Sequence, residues 1–298
     1  MLHIKVNECN MDINYSIIIP HKNIPVLLQR CLDSIPSRED IEIIVVDDNS
    51  AFNEVGFNHF PGTDREDVKV IFTKEGKGAG YARNCGLEYA KGKWLLFADA
   101  DDFFHSNLLQ AIDRYVDSNY DIVFFDSDSV DSDTLEALPP RIAPIVGQDE
   151  GRLRYGRREP TVKLISRLMV EKYHIRYEEV PASNDVMFSA ITGYYAKAIT
   201  VSPEVIYCIT VRKDSLWYGM KYEHLLVRIE VACRYSRFLR YKKIPSKYRI
   251  YAYDFVCRSR VYGFKAYLKA FFLYLRQEHV CYIYEDFSNL LRAKLHKK

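Results

Sequence analysis

The chain has 298 residues, 48% of them hydrophobic and 28% charged, and its formal net charge at pH 7 is +2. This composition excludes a mainly disordered chain, and the length allows one large domain or a domain with an added lobe. The seven cysteines are widely spaced and include no Cys-x-x-Cys pair, so we expect free thiols in a reducing cytoplasm. The N-terminus is polar without an apolar signal core, and no run reaches the ~18–20 apolar residues of a membrane span.

Apolar runs and amphipathic segments alternate along the first half of the chain. The apolar runs predict buried strands at residues 16–19, 41–46, 68–72, 94–98 and 122–125. Apolar residues at helical spacing predict helices at residues 27–35, 82–90 and 108–116. Such alternation is typical of a mostly parallel sheet flanked by helices, so the expected fold class is α/β with a Rossmann-like sheet.

The second half is less regular. Residues 126–160 are polar and rich in proline, with four arginines between Arg152 and Arg158, and we expect an irregular loop there. Beyond this loop the pattern predicts helices at 161–173 and 184–195, a strand at 205–211 and a mainly helical region from residue 223 onward.

Charge is unevenly distributed between the two ends. Residues 232–298 contain 16 Lys and Arg but only 4 Asp and Glu, a net charge of +12, which leaves −10 for the rest. Within them, a helix over 264–276 places Lys265, Lys269 and Arg276 on one stripe, opposite an apolar face. That face either packs on the preceding domain or rests on an anionic inner membrane leaflet. Nucleic acid is not an expected partner, because no recognised binding motif accompanies the basic residues.

Three of the predicted strands end in polar residues, at 21–23, 47–50 and 99–102. Ligands of parallel sheets bind beyond the carboxyl ends of the strands, so these residues predict a site at one edge. Asp99 and Asp101 are two residues apart and point the same way at a strand end. Their carboxylates suit a sugar hydroxyl and a hard cation such as Mg²⁺ or Mn²⁺.

Four sequence blocks together resemble the family-2 glycosyltransferases of the GT-A fold. In chain order they are Ser-Ile-Ile-Ile-Pro at 16–20, Val-Val-Asp-Asp-Asn-Ser at 45–50, Ala-Arg-Asn-Cys-Gly at 82–86 and Phe-Ala-Asp-Ala-Asp-Asp at 97–102. Asn-Asp-Val-Met-Phe at 184–188 is similar to the acidic block that holds the catalytic base in this family. The resemblance covers about residues 15–215.

The resemblance implies an enzyme that transfers a sugar, with inversion, from a nucleoside diphosphate sugar to an acceptor hydroxyl. Asp48 and Arg83 would then contact the nucleotide base, and Asp99 would bind the ribose. Asp101 would hold Mn²⁺ or Mg²⁺, and Asp185 would be the general base. Asp102 receives no role at this stage.

The same resemblance adds Pro20, Asn23 and Arg212 to the nucleotide-sugar site. Arg212 and Ser215 stand where relatives often carry a basic residue and a serine, which suggests contact with the diphosphate. The expected base is uridine. Lys22 replaces an aromatic residue that could stack on this base and that relatives often have after the first strand, and the sequence departs from the family pattern at this position.

The implied organisation is a catalytic domain over 1–220, with a nucleotide-sugar half at about 15–125 and an acceptor half at about 126–220. Residues 221–298 would form a basic, aromatic-rich helical extension. The expected acceptor is a glycan or lipid-linked glycan in cell-surface polysaccharide synthesis. Two alternatives remain open, a sugar nucleotidylyltransferase and a non-catalytic protein that binds nucleotide sugars.

Overall fold

The computed structural model describes residues 13–212 and 221–278, which form a mixed sheet flanked by helices. The strands are β1 Tyr15–His21, β2 Ile41–Asp47, β3 Val68–Phe72, β4 Trp94–Phe97, β5 Phe103–Phe104, β6 Ile122–Asp131, β7 Ala137–Leu138, β8 Lys163–Ser166 and β9 Ile199–Val211. The helices are α1 Pro25–Asp33, α2 Ala79–Tyr89, α3 Leu108–Asp113, α4 Arg167–Lys172, α5 Asp185–Tyr195, α6 Tyr222–Tyr241, α7 Ala252–Arg258 and α8 Phe264–Gln277.

The sheet has the order β3-β2-β1-β4-β8-β6-β9-β5, with β7 paired to the far end of β6. The strands β3, β2, β1 and β4 are all parallel, as the continuous apolar runs predicted. Beyond β4 the sheet is mixed, because β8 lies antiparallel to both of its neighbours while β6 and β9 are parallel to each other. The carboxyl ends of β1, β2 and β4 therefore lie side by side.

Helices cover both faces of the sheet, and each face has its own hydrophobic core. One core joins alternate residues of the strands to apolar residues of α1 and α3, such as Leu28 and Ile112. The other joins the opposite residues to α2, α4 and α5, through Ala82, Met169 and Phe188. Burial on both sides explains why the central strands are continuous runs of Ile, Val and Leu instead of alternating patterns.

Two sequence predictions in the second half are wrong. The expected loop from residue 126 begins as strand, because β6 continues to Asp131 and its polar residues pair with β9. The helix expected at 161–173 is instead strand β8 followed by the short helix α4. Runs of four to six apolar residues fit a strand or a helix equally well, and the neighbouring strands decide between them.

The C-terminal helices pack on the sheet domain and on one another. Val231, Tyr235 and Leu239 of α6 form a core with Val186 and Ala190 of α5. On its other side α6 packs against α7 and α8, whose Ala270 and Tyr274 are fully buried. The predicted amphipathic helix is α8. Tyr267, Phe271 and Tyr274 pack in the core shared with α6 and α7, whereas Phe264 and Leu275 at the two ends of the helix are exposed.

None of the helices within residues 13–212 and 221–278 combines the length and apolar character that a membrane crossing requires.

Candidate active site

The three polar strand ends predicted from the sequence meet at one edge of the sheet. His21 at the end of β1 lies opposite Asp47 at the end of β2, in register. On the other side of β1, Phe97 of β4 lies opposite Ile18, so the turn at 99–102 follows directly beside the end of β1. This juxtaposition follows from the parallel order of β2, β1 and β4.

A buried hydrogen-bond network fixes the loops after β1 and β2. His21 Nδ1 lies 2.8 Å from Asp47 Oδ1, and the backbone N–H of Ile24 donates to His21 Nε2 at 3.1 Å. The hydroxyl and the backbone N–H of Ser50 both donate to Asp47. Burial alone would raise the pKa of Asp47, but the hydrogen bonds from His21 and Ser50 outweigh it and hold that pKa below its usual value.

Asp48, the residue after this network, is almost completely buried and has one unused oxygen. Its Oδ2 accepts the backbone N–H of Gly78 at 2.9 Å and faces Lys22 Nζ at 3.4 Å. Its Oδ1 has no hydrogen-bond partner among the described residues. A buried acceptor without a donor is costly, so this oxygen is suited to an N–H group of a bound molecule.

The buried side chain of Arg83 connects the acidic turn after β4 with the start of α5. It follows the glycine-rich turn into α2, and its side chain is 7% exposed. One terminal nitrogen donates to Asp99 Oδ1 at 2.5 Å and the other donates to Asn184 Oδ1 at 2.9 Å. The guanidinium also lies 5.3 Å from the centre of the Tyr177 ring. The Asp99 side chain keeps 44% of its surface exposed and is therefore open to a ligand.

Asp185 is the first residue of α5, directly after Asn184, and lies close to Arg83. Burial raises the pKa of its carboxyl, the positive charge of Arg83 opposes this rise, and the negative charge of Glu159 adds to it. A raised pKa makes the carboxylate a stronger base than that of an exposed aspartate. The geometry thus brings Asp99 and Asp185 together through Arg83 and Asn184.

Asp101 and Asp102 are adjacent in sequence and have different partners. Arg212 donates to Asp101 Oδ2 at 2.8 Å. Both oxygens of Asp102 are used inside the fold, by the Tyr207 hydroxyl at 2.9 Å and by the Thr210 N–H at 2.8 Å. Asp102 therefore anchors the turn to β9 and is not available to a ligand.

The residues at this turn fit a divalent cation. Burial raises the pKa of Asp101, and the negative charge of Asp99 raises it further, while Arg212 opposes the shift. Such crowding of negative charge is relieved by a bound cation, and carboxylate oxygens are the ligands that Mg²⁺ and Mn²⁺ prefer. Asp101, with Asp99 beside it, could hold such an ion, and its assignment as the metal ligand stays a prediction.

Two further predicted residues shape the backbone of the site. Pro20 is buried in β1 opposite Val46. Asn23 adopts a left-handed conformation with φ of 58°, and its side-chain oxygen accepts the Ala51 N–H at 2.8 Å. Asn23 also donates its backbone N–H to Ser50 Oγ at 2.8 Å, so it joins the loop after β1 to the loop that contains Asp48. Ser215, expected beside Arg212, lies outside the described residues.

Sequence reasoning missed several residues that support the site. Tyr207 of β9 donates to Asp102 and accepts the Asp99 N–H at 2.8 Å. Lys163 of β8 is buried, and its Nζ donates to the Arg157 carbonyl at 2.7 Å and to Ser189 Oγ at 3.2 Å, one turn after Asp185. Tyr207 is more than 100 residues from its partners in the sequence, so no local pattern identifies it. Lys163 lies between apolar residues, where an exposed lysine of a strand would look the same, so the sequence does not show that it is buried.

Comparison with known proteins shows the family to which the chain is similar. The family model described as Glycosyl transferase family 2 matches residues 16–174, which is more than half of the chain. The putative glycosyltransferase EpsH of Bacillus subtilis is 24% identical over 219 residues, covering 67% of this chain and 62% of that protein. The poly(ribitol-phosphate) beta-glucosyltransferase of Bacillus spizizenii is 38% identical over 99 residues, covering 32% of this chain and 16% of that protein. The chain thus spans less than two thirds of the length of either relative.

A solved structure shares the fold. S. aureus TarS 1-349 in complex with UDP-GlcNAc matches with a TM-score of 0.60 at 20% identity, covering 74% of this chain and 65% of that one. The same protein in complex with UDP matches with a TM-score of 0.56, covering 76% of this chain and 70% of that one. At this level of identity the likeness concerns the fold, and it confirms the predicted GT-A α/β class.

Proposed function

The chain belongs to glycosyl transferase family 2, and on that premise we propose that it moves a sugar, with inversion, from a nucleoside diphosphate sugar to an acceptor hydroxyl. The observation that carries the proposal is the pair of hydrogen bonds from Arg83, which join Asp99 on the donor side to Asn184 beside Asp185. The buried guanidinium of Arg83 thereby fixes the position of Asp99, the proposed ribose ligand, relative to the start of α5, where Asp185 is the proposed base.

The proposed donor is a UDP-sugar. The unpartnered Asp48 Oδ1 would accept the imide N–H of uracil, and Pro20 and Asn23 would shape the loops around the base. The exposed part of the Asp99 carboxylate would accept hydrogen bonds from the ribose hydroxyls, while the ion pair with Arg83 orients this carboxylate. TarS, which shares the fold, was solved with UDP-GlcNAc and with UDP, which supports uridine as the base.

The proposed reaction depends on charge neutralisation at the diphosphate. When bound, Mn²⁺ or Mg²⁺ would stabilise the negative charge of the leaving nucleoside diphosphate, with Asp101 as its protein ligand. Arg212 already pairs with Asp101 and would turn toward the diphosphate when the donor occupies the site. Asp102 would keep the turn in place through Tyr207 and Thr210.

Asp185 is proposed to remove the proton of the acceptor hydroxyl as the new bond forms. Attack on the face of the sugar opposite the leaving group gives inversion. The raised pKa of Asp185 suits this task because the carboxylate gains basicity.

The proposed acceptor is a cell-surface polysaccharide. Two relatives are named for polymers of this kind, the poly(ribitol-phosphate) beta-glucosyltransferase and the minor teichoic acid biosynthesis protein GgaB of Bacillus subtilis. The chain overlaps only a small part of each, so the donor sugar and the acceptor polymer must be found by assay.

A donor panel tests the proposal directly. Release of nucleoside diphosphate from UDP-, GDP- and TDP-sugars is measured with polysaccharide acceptors, with Mn²⁺ or with a chelator. We expect release with a UDP-sugar that requires the metal, and loss of release in Asp101→Asn but not in the exposed control Asp133→Asn. Retention of the anomeric configuration in the product would contradict inversion, and full activity in the chelator would contradict metal dependence.

Two further measurements separate the alternatives. A sugar nucleotidylyltransferase would release pyrophosphate from a nucleoside triphosphate and a sugar phosphate. A protein that only binds nucleotide sugars would show a rise in melting temperature with UDP-sugar and no turnover.

We further propose peripheral contact of the basic extension with an anionic inner membrane leaflet. Phe264 and Phe272 of α8 are exposed, and Lys265 and Lys269 are exposed on the same helix. Exposed aromatic and lysine side chains together favour an anionic lipid surface. Cosedimentation with anionic but not neutral phospholipid vesicles, reduced in Phe272→Ser, would support this contact, and equal recovery with both vesicles would contradict it.

A further inference from the structure

A cluster of one histidine, one aspartate and one cysteine takes no part in the proposed transfer. His105 Nε2 lies 2.9 Å from Asp128 Oδ1. One ligand atom each from His105, Asp128 and Cys208 all lie within 4.8 Å of one another. Imidazole, carboxylate and thiolate together are a ligand set of Zn²⁺ and related transition-metal ions, whereas Mg²⁺ takes oxygen ligands.

The three residues come from adjacent strands of the sheet and share one face. Asp128 of β6 and Cys208 of β9 are register partners on parallel strands. On the other side of β9, Phe103 of β5 pairs with Cys208, and His105 follows two residues later with its backbone N–H on the Ile206 carbonyl. Residues two apart along an extended chain point to the same face. The sheet backbone therefore holds all three side chains in place.

The chemistry of Cys208 favours a metal ligand over a nucleophile. Its side chain is fully buried. Nucleophilic cysteines are partly exposed, so that a substrate can reach the sulfur. A divalent ion would bind the thiolate, and the thiol proton would pass to solvent.

The cluster is open to an ion from solvent. The side chains of His105 and Asp128 are 33% and 46% exposed, so both ligands can be reached while the sulfur lies behind them. The carboxylate and the thiolate together balance the charge of a divalent ion. The positive charge of Arg30 acts on Cys208, but its guanidinium is held by the carbonyl oxygens of Ser132 and Asp101.

We propose that His105, Asp128 and Cys208 form a binding site for a transition-metal ion of the Zn²⁺ class, distinct from the acidic turn at Asp101. A bound ion would tie β5, β6 and β9 together. The neighbour of Cys208 is Tyr207, which holds Asp99 and Asp102 on the opposite face of β9. Metal binding would therefore stabilise the strand that supports the acidic turn.

Titration with Co²⁺ tests the proposal without measuring transfer. The full chain is treated with a chelator, dialysed into buffer with excess Mg²⁺ and titrated with Co²⁺. We expect saturation near one equivalent, with a near-ultraviolet thiolate-to-Co²⁺ charge-transfer band. Cys208→Ser should lose the band, whereas the control Cys257→Ser on α7 should keep it. Absence of saturable binding, or a band of full strength in Cys208→Ser, would overturn the proposal.

Variants of the exposed ligands keep the test valid even if Cys208→Ser folds poorly. His105→Ala and Asp128→Asn change side chains that are partly exposed, and each should weaken Co²⁺ binding at least tenfold. Zn²⁺ should raise the melting temperature of the wild-type chain and have a smaller effect on either variant. Equal shifts in all three proteins would place the metal elsewhere. Because no readout involves sugar transfer, these results do not depend on the proposed function.

Discussion

At the scale of single residues, neighbouring carboxylates of the site differ in which of their oxygens the fold uses. Asp47 is fully engaged by His21 and Ser50, whereas Asp48 has one oxygen without a partner in the described structure. Asp102 uses both oxygens on β9, whereas the pairing of Asp101 with a side chain, among residues 13–212 and 221–278, is with Arg212. Engaged carboxylates hold the loops, and the remaining ones are available to the donor and the cation.

Asp185→Asn tests the proposed base. Loss of a positioned base typically lowers a rate by about 10²–10⁴-fold, and we expect this fall in transfer with little change in UDP-sugar binding. The control is Asp117→Asn, since its side chain is 95% exposed.

The pH profile gives a second readout for Asp185. Because burial raises its pKa above the ordinary value of 3.8, wild-type transfer should decline on acidification at a higher pH than an exposed aspartate would give. The residual activity of Asp185→Asn should not show this decline on acidification. A variant with parental rates would show that another group takes the proton.

Lys163 is expected to make stability depend on pH in the alkaline range. Burial lowers the pKa of its ammonium from 10.5 to about 7 in the folded chain. Between these values the unfolded chain binds the proton and the folded chain does not. Stability should therefore fall as the pH is lowered, by up to about 1.4 kcal/mol per pH unit, and level off near pH 7.

Denaturant unfolding of Lys163→Met between pH 7 and 10 measures this effect. The variant lacks the titrating group. The difference between its free energy of unfolding and that of the wild type should therefore shift in favour of the variant as the pH falls. Lys172→Met, which changes an exposed lysine on α4, is the matched control. Parallel pH curves for the wild type and Lys163→Met would contradict the expected titration.

At the scale of elements, the site depends on the close approach of α2 to the loop before α5. A Cβ atom on Gly80 would overlap the carbonyl oxygen of Glu178 and lie 3.0 Å from the Asn184 Cβ. Glycine at this position lets Arg83, one turn later, reach Asn184 and Asp99. Arg234 of α6 also pairs with Glu178, at 2.8 Å, so the same loop is held from the extension.

Gly80→Ala should therefore separate α2 from this loop. The overlap is with backbone, which cannot move away like a flexible side chain. We expect a lower melting temperature and a larger loss of transfer than of donor binding, because the relation of Asp185 to the donor site changes. Gly56→Ala is the control, since a Cβ there meets nothing within 4 Å. Wild-type transfer in Gly80→Ala would show that this spacing is not required.

At the scale of the whole molecule, the sheet domain and the C-terminal helices share a hydrophobic core. Tyr235 of α6 is fully buried and packs with residues of α5. Its hydroxyl is within hydrogen-bond distance of the carbonyl oxygens of Tyr155 and Tyr248. Val186 and Ala190 of α5, the helix that begins with Asp185, belong to the same core. The extension therefore supports the helix that carries the candidate base.

Tyr235→Ala measures this support. Removing a buried aromatic side chain typically costs about 3–5 kcal/mol, and we expect a loss of this order in the free energy of unfolding. Tyr241→Ala on the same helix is the matched control, because Tyr241 is 81% exposed. A similar small effect of both substitutions would mean that α6 is not needed for the stability of the sheet domain.

The sequence alone determined the α/β class, the parallel strands β1 to β4 and the acidic strand ends, because these features follow from local hydrophobic patterns and from polar residues where apolar runs stop. It did not determine the partners of those residues. Arg83 meets Asn184 across 101 positions, and Asp101 meets Arg212 across 111. Only the order of the sheet brings such residues together. The tertiary structure therefore decided that Asp102 anchors the turn to β9 and that Arg83 is buried and paired with Asp99. It also decided that residues 126–131 and 163–166 are strands.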